Sequence, residues 1–98
     1  MGSYRLTPRA LSDLDAIADY SLDRWGAEQT QTYLSQIAGR MQWLADNPEI
    51  GRVRDDVADE YRSFPEGKHV IFYLIIEDEI AIIGVPHAAT DLNAEKFT

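Results

Sequence analysis

The chain has 98 residues, 45% hydrophobic and 27% charged, with no cysteine and a formal net charge of −8. That length suits one domain spanning residues 1–98 and excludes two; the apolar content excludes disorder, and the lack of cysteine excludes disulfides and thiolate metal sites. The acidic balance opposes general nucleic-acid binding, and with no signal-like N-terminus and no apolar run of about 18 residues the expected location is the cytoplasm.

Tyr4-Arg5-Leu6 reads as a short extended piece. Thr7-Pro8 then starts a helix, with Thr7 able to cap free backbone N–H groups and Pro8 at the first helical position. Leu11, Leu14, Ala18, Leu22 and Trp25 recur at steps of three and four and predict the buried stripe of a helix that ends near Gly26, a residue suited to a left-handed cap. A second helix follows on Ala27, Thr30, Leu34, Ile37, Met41 and Leu44, and stops at Pro48. The two make a tight antiparallel hairpin.

From Pro48 to Glu60 only Ile50, Val53 and Val57 are apolar anchors, so the segment reads as an ordered connecting loop, long for so small a domain. Tyr61–Phe64 alternates as a strand. Pro65-Glu66-Gly67 is a turn, His69–Ile76 has the two-sided apolar character of a central strand, and Ile80–Val85 follows a second turn. The order β-α-α-β-β-β predicts an α+β fold, a helical hairpin packed on one face of a small antiparallel sheet. The other face of so thin a sheet is expected to be partly bare, with Ile71, Tyr73 and Ile75 or their alternates pointing there.

Several side chains suggest chemistry, and each has an ordinary reading beside it. Arg52, Arg54, Arg62 and Lys68 are four of nine cations in one short segment, the only place where a basic patch could form. Asp15, Asp19 and Asp23 form an acidic stripe at i, i+4 and i+8, which reads as a solvated face, since a metal needs a further ligand from elsewhere. Tyr33 and Trp43 flank the second apolar stripe and read as core in preference to a base-stacking surface. His69, at the start of an apolar strand beside a Gly turn, reads as a hydrogen-bonded structural residue, and so does His87 after Pro86.

Five blocks, in order and at matching spacing from about Tyr4 to Asp91, resemble the ParE family of toxins. They are Tyr4-Arg5-Leu6-Thr7, Asp13-Leu14-x-x-Ile17-x-x-Tyr20, Arg24-Trp25-Gly26-x-x-Gln29, Leu44-Ala45-x-Asn47-Pro48-x-Ile50-Gly51 and Tyr61-Arg62-x-Phe64-Pro65-x-Gly67-x-His69-Val70-Ile71-Phe72-Tyr73. The resemblance implies the toxin of a type II toxin–antitoxin pair, of the plasmid-stabilisation type. Its partners would be a ParD-like antitoxin and DNA gyrase as target. It implies action by binding, with no catalytic residue, no cofactor and no metal. The binding candidates are Arg52, Arg54, Arg62, Lys68, His69, Tyr73, His87 and Asp91. His87 and Asp91 match the family's C-terminal pattern, while Gly84 and Ala88 stand where relatives often carry a cation.

Two other readings come from different classes. A RelE-like RNA-cleaving toxin would use Arg52, Arg54, Arg62, Lys68 and His69, with Tyr73 behind them, as acid–base and phosphate-binding groups. A decayed toxin would bind only its antitoxin.

Overall fold

The computed structural model describes residues 2–89. In chain order these form β1 (Ser3–Leu6), α1 (Pro8–Asp46), β2 (Arg52–Val53), β3 (Arg62–Glu66), β4 (His69–Ile76) and β5 (Glu79–Gly84). The strands make one five-stranded sheet in the order β1-β5-β4-β3-β2, and α1 packs on it.

Thr7 starts α1 as its sequence predicts. Its extended backbone sits before Pro8, and its hydroxyl oxygen accepts the Ala10 N–H. The same hydroxyl donates to Ile82 O at 2.8 Å, so the cap also ties the helix to β5. At the far end Asn47 donates its backbone N–H to Trp43 O and Leu44 O and its side-chain amide to Trp43 O, and Pro48 ends the run.

A straight helix of 39 residues would measure about 58 Å at 1.5 Å per residue, yet the longest dimension of the molecule is 37 Å. The run breaks at Gly26, whose φ of 86° and ψ of 177° are open only to glycine. Residues 8–25 and 27–46 thus form two arms, and the Thr30 hydroxyl donates to Gly26 O at 2.8 Å to close the second arm's start.

The buried stripe of the first arm differs from the predicted one. Ala10, Ile17 and Ser21 are buried, while Leu11, Leu22 and Trp25 are about half exposed. The step 10, 14, 17, 21 is as helical as 11, 14, 18, 22, so periodicity alone did not fix which stripe turns inward; the small side chains at 10 and 21 let this arm approach closely. In the second arm Thr30, Ile37, Met41 and Leu44 are buried as expected. Ile37, Met41 and Leu44 join Ile71, Tyr73, Ile80, Ile82 and Val85 in one core.

The sheet is mixed, which corrects the expectation of a wholly antiparallel one. β2 to β5 pair antiparallel, whereas β1 lies parallel to β5 with Tyr4 opposite Ile80 and Leu6 opposite Ile82. A parallel neighbour needs a long crossover, and here everything from α1 through β4 lies between the two strands. A bulge interrupts the β4–β5 ladder: Phe72 pairs with Gly84 and Tyr73 with Ile82, leaving Ile83 as the extra residue.

The 48–60 connection also departs from a plain loop. It contains β2 and buries Val57. Ile71 and Tyr73 face the helices, so their alternates Phe72, Leu74 and Ile76 take the second face; the connection places the Arg54 guanidinium 5.3 Å from the Phe72 ring centroid, and Phe72 is fully buried.

Candidate functional site

Three regions hold the candidate groups. The first is an apolar groove where the two helical arms meet β1. Its volume is about 280 Å³ and its walls include Tyr4, Leu6, Leu14, Leu34, Ile37 and Met41, with Asp15 at the margin. Asp19 and Asp23 are exposed, as a solvated face requires.

The second region lies where the 48–60 connection leaves α1. Tyr73, fully buried on β4, donates its hydroxyl to Pro48 O at 2.8 Å and accepts the Gly51 N–H at 3.0 Å. Burial pushes this phenol above its ordinary pKa. Gly51 is required here because a Cβ would overlap the Tyr73 hydroxyl. Arg62, paired across the sheet with Tyr73, donates to Glu49 O and Gly51 O, both at 3.0 Å. Arg54 forks onto Asp56 at 2.9 and 2.8 Å and reaches Ser63 Oγ. That hydrogen-bonded pairing raises Arg54 and lowers Asp56 from their usual values. Arg52 is exposed on β2. Arg54, Arg62 and Tyr73 are thus structural ties for the connection.

The third region is the β3–β4 turn. Tyr33, from the second arm, shares a 2.6 Å hydrogen bond with His69 Nδ1, accepts the Lys68 N–H at 3.0 Å and lies 3.3 Å from Glu66 O. Gly67 makes room for it: φ is 59°, and a Cβ would come within 2.6 Å of the Tyr33 ring. His69 and His87 form an isolated bridge with rings 5.2 Å apart. Burial, and then the charge of His87, hold His69 below the usual histidine value. Lys68 Nζ lies 5.9 Å from the ring centroid of the half-exposed Trp25.

The four cations therefore do not make one patch. Arg62 and Lys68 bracket the length of β3, roughly 13 Å of strand apart at about 3.3 Å per residue, and the guanidinium of Arg54 is engaged with Asp56. His69, Lys68 and His87 do come together; Asp91 lies outside the described residues. Sequence reasoning assigned Tyr33 to the core, where its ring does pack, and missed its hydroxyl as the hub of the turn. A buried phenol needs a hydrogen-bond partner, and that was the available signal. Asp13, whose carboxylate accepts the Val85 N–H at 2.8 Å, and Arg40, bound to Glu66 at 2.8 Å, were likewise missed. Among the described residues no group of three or more His, Asp or Glu side chains is placed to hold a metal ion, and no helix is long and apolar enough to cross a membrane.

This arrangement, a kinked helical hairpin on a sheet with a parallel first strand, is shared with solved toxin–antitoxin structures. A chain of a structure described as the chromosomal ParDE toxin–antitoxin system from P. aeruginosa superposes with a TM-score of 0.75 at 22% identity, covering 89% of this chain and 96% of that one. A chain of the toxin–antitoxin complex RelBE2 from Mycobacterium tuberculosis gives 0.64 at 18% identity, covering 88% and 96%. The α+β fold is thus one shared with chains of solved toxin–antitoxin structures.

The family model for the ParE toxin of type II toxin–antitoxin systems matches residues 4–92. Two proteins named Toxin ParE1 are each 35% identical: one from Mycobacterium tuberculosis over 91 residues, 92% of this chain and 93% of the relative, and one from Caulobacter vibrioides over 94 residues, 96% and 97%. The chain belongs to the ParE family of type II toxin–antitoxin toxins.

Proposed function

We propose that this toxin is silenced by a ParD-like antitoxin and acts in the cytoplasm by non-catalytic binding to DNA gyrase. The observation that carries the antitoxin half of this reading is the apolar groove between the helical arms and β1. A groove with these walls suits the apolar face of an amphipathic helix, and the sheet edges offer room for an extended segment. The binding would rest on apolar anchors more than on charge, because the exposed cations are scattered; affinity is then expected to change little between low and high salt.

The reading as a binder draws support from the state of the groups an RNA-cleaving site would need. The Tyr73 hydroxyl is committed at both ends to backbone groups, and His69 is engaged by Tyr33. Arg54 is paired with Asp56. None is poised toward an incoming 2′-hydroxyl. Of the binding candidates, Arg52, Lys68 and His87 are exposed enough to meet a partner.

The test induces the chain with and without a ParD-like antitoxin and assays purified gyrase and RNA in parallel. Expected are growth arrest relieved by the antitoxin, inhibited supercoiling with intact RNA, and toxicity that survives His69→Ala. Leu34→Asp in the groove should abolish antitoxin rescue without abolishing toxicity. Cleavage of RNA that is lost in a folded His69→Ala protein would replace this reading with the RelE-like one; absence of toxicity in the soluble chain would leave a module that only binds its antitoxin.

A further inference from the structure

Beyond β5 the chain turns along the beginning of β4. Val85 is buried, and its N–H is fixed by the Asp13 carboxylate at 2.8 Å. Past that anchor, Pro86 O accepts the Val70 N–H at 2.9 Å and the Ala88 N–H donates to Lys68 O at 2.8 Å. Between these two bonds His69 faces His87, rings 5.2 Å apart and inclined at 74°. The Ala89 N–H donates to His87 Nδ1 at 3.0 Å.

We propose that His69 and His87 form a proton-operated latch: with His69 neutral, residues 86–89 lie on β4, and protonation of His69 lifts them away about the Val85–Pro86 joint.

Every other contact of His69 survives its protonation, and this directs the strain toward His87. Neutral His69 shares its 2.6 Å hydrogen bond at Nδ1 with the Tyr33 hydroxyl. Protonated His69 donates from Nδ1, and the Tyr33 hydroxyl accepts it and the Lys68 N–H while donating to Glu66 O at 3.3 Å. The network stays filled but now holds a cation in a half-buried place.

The charged groups around it give little relief. From α1, Asp13 is engaged by Val85 N–H and lies 3.7 Å from Arg9. From β3, Glu66 is held by Arg40 at 2.8 Å. Lys68 adjoins His69 in the chain, and a charged His87 repels it. Moving His87 outward opens the charged His69 ring to water at the cost of two backbone hydrogen bonds, whereas the Asp13–Val85 bond keeps the base of the segment in place.

Amide hydrogen exchange of the full chain tests the latch, each rate being referred to that of an unstructured peptide at the same pH. From about pH 7.5 to about pH 5, protection of the Val70 and Ala88 amides should fall about tenfold while the β4–β5 ladder keeps its protection. His69→Gln should leave protection of these two amides flat across that range. His87→Ala, whose side chain lies outside the core, should show low Ala88 protection at both ends of the range with the ladder intact. Protection that stays level with pH in the native chain, or that falls equally in His69→Gln, overturns the latch. So does an Ala88 amide still protected in His87→Ala.

Discussion

Tyr73 and Tyr33 are both used through their hydroxyls, at opposite ends of the β3–β4 hairpin, and the contrast shows how one side-chain type serves two ends of a small sheet differently. Tyr73 is fully buried and bonded to backbone groups alone, Pro48 O and Gly51 N–H. Neither partner titrates, so this end is a fixed joint between α1 and the 48–60 connection. Tyr33 is half-buried and bonded to an imidazole. Its end responds to protons and carries exposed side chains, Lys68 and His87 among them. Burial raises both phenols, so both stay protonated at neutral pH; the partner, not the tyrosine, makes the difference.

The largest expected effect comes from breaking the fixed joint. Tyr73→Ala should cost about 3–5 kcal/mol, the range for deleting a buried aromatic side chain, and chemical denaturation would show it as a large drop in midpoint. A loss below about 1 kcal/mol would mean that the connection does not depend on this residue.

Next is Gly67→Ala, which demands a left-handed alanine and a Cβ within 2.6 Å of the Tyr33 ring. A penalty of about 1–3 kcal/mol is expected, together with a changed His69 ring signal in NMR spectra. Tyr33→Phe should be milder, about 1 kcal/mol, because its partners lie near water and can be resolvated. Equal losses for Tyr33→Phe and Tyr73→Phe in thermal unfolding would erase the contrast between a sealed and an open end.

Much of the fold is legible in the sequence because local signals mark it: Thr7-Pro8, Gly26, Asn47-Pro48 and Gly67 each punctuate an element, and His69–Ile76 forms a strand over those very residues. The parallel pairing of β1 is not legible, since no turn links it to β5 and its direction is set only when the hairpin has packed. Nor is the inward stripe of the first arm, where Ala10 and Ser21 outcompete Leu11 and Leu22 through closeness of packing and not through hydrophobicity. At the sites, the cations are near in sequence but scattered in space, while Tyr33, His69 and His87 are distant in sequence and adjacent in space. A strand separates neighbours by about 3.3 Å per residue, whereas a folded hairpin brings remote ones together.

The smallest predicted effect is the pH dependence of stability. His69 has its pKa lowered in the folded state, so the unfolded chain binds this proton more readily. The stabilisation is therefore complete above the ordinary histidine value of about 6.5 and declines as pH falls toward the lower folded value. Denaturation curves at about pH 7.5 and about pH 5.5 should show the decline in the native chain and a smaller one in His69→Gln; the same decline in both would remove His69 as its source.

The parallel partnership of β1 and β5 also has a consequence during synthesis. Tyr4 and Leu6, which wall the apolar groove, are held in place by Ile80 and Ile82, and the Thr7 hydroxyl by Ile82 O. β1 leaves the ribosome before β5 and must wait for it before it has a neighbour, several seconds at about 5–20 residues per second. Until then the groove lacks one side, and a helix that recognises its full width has nothing complete to grip.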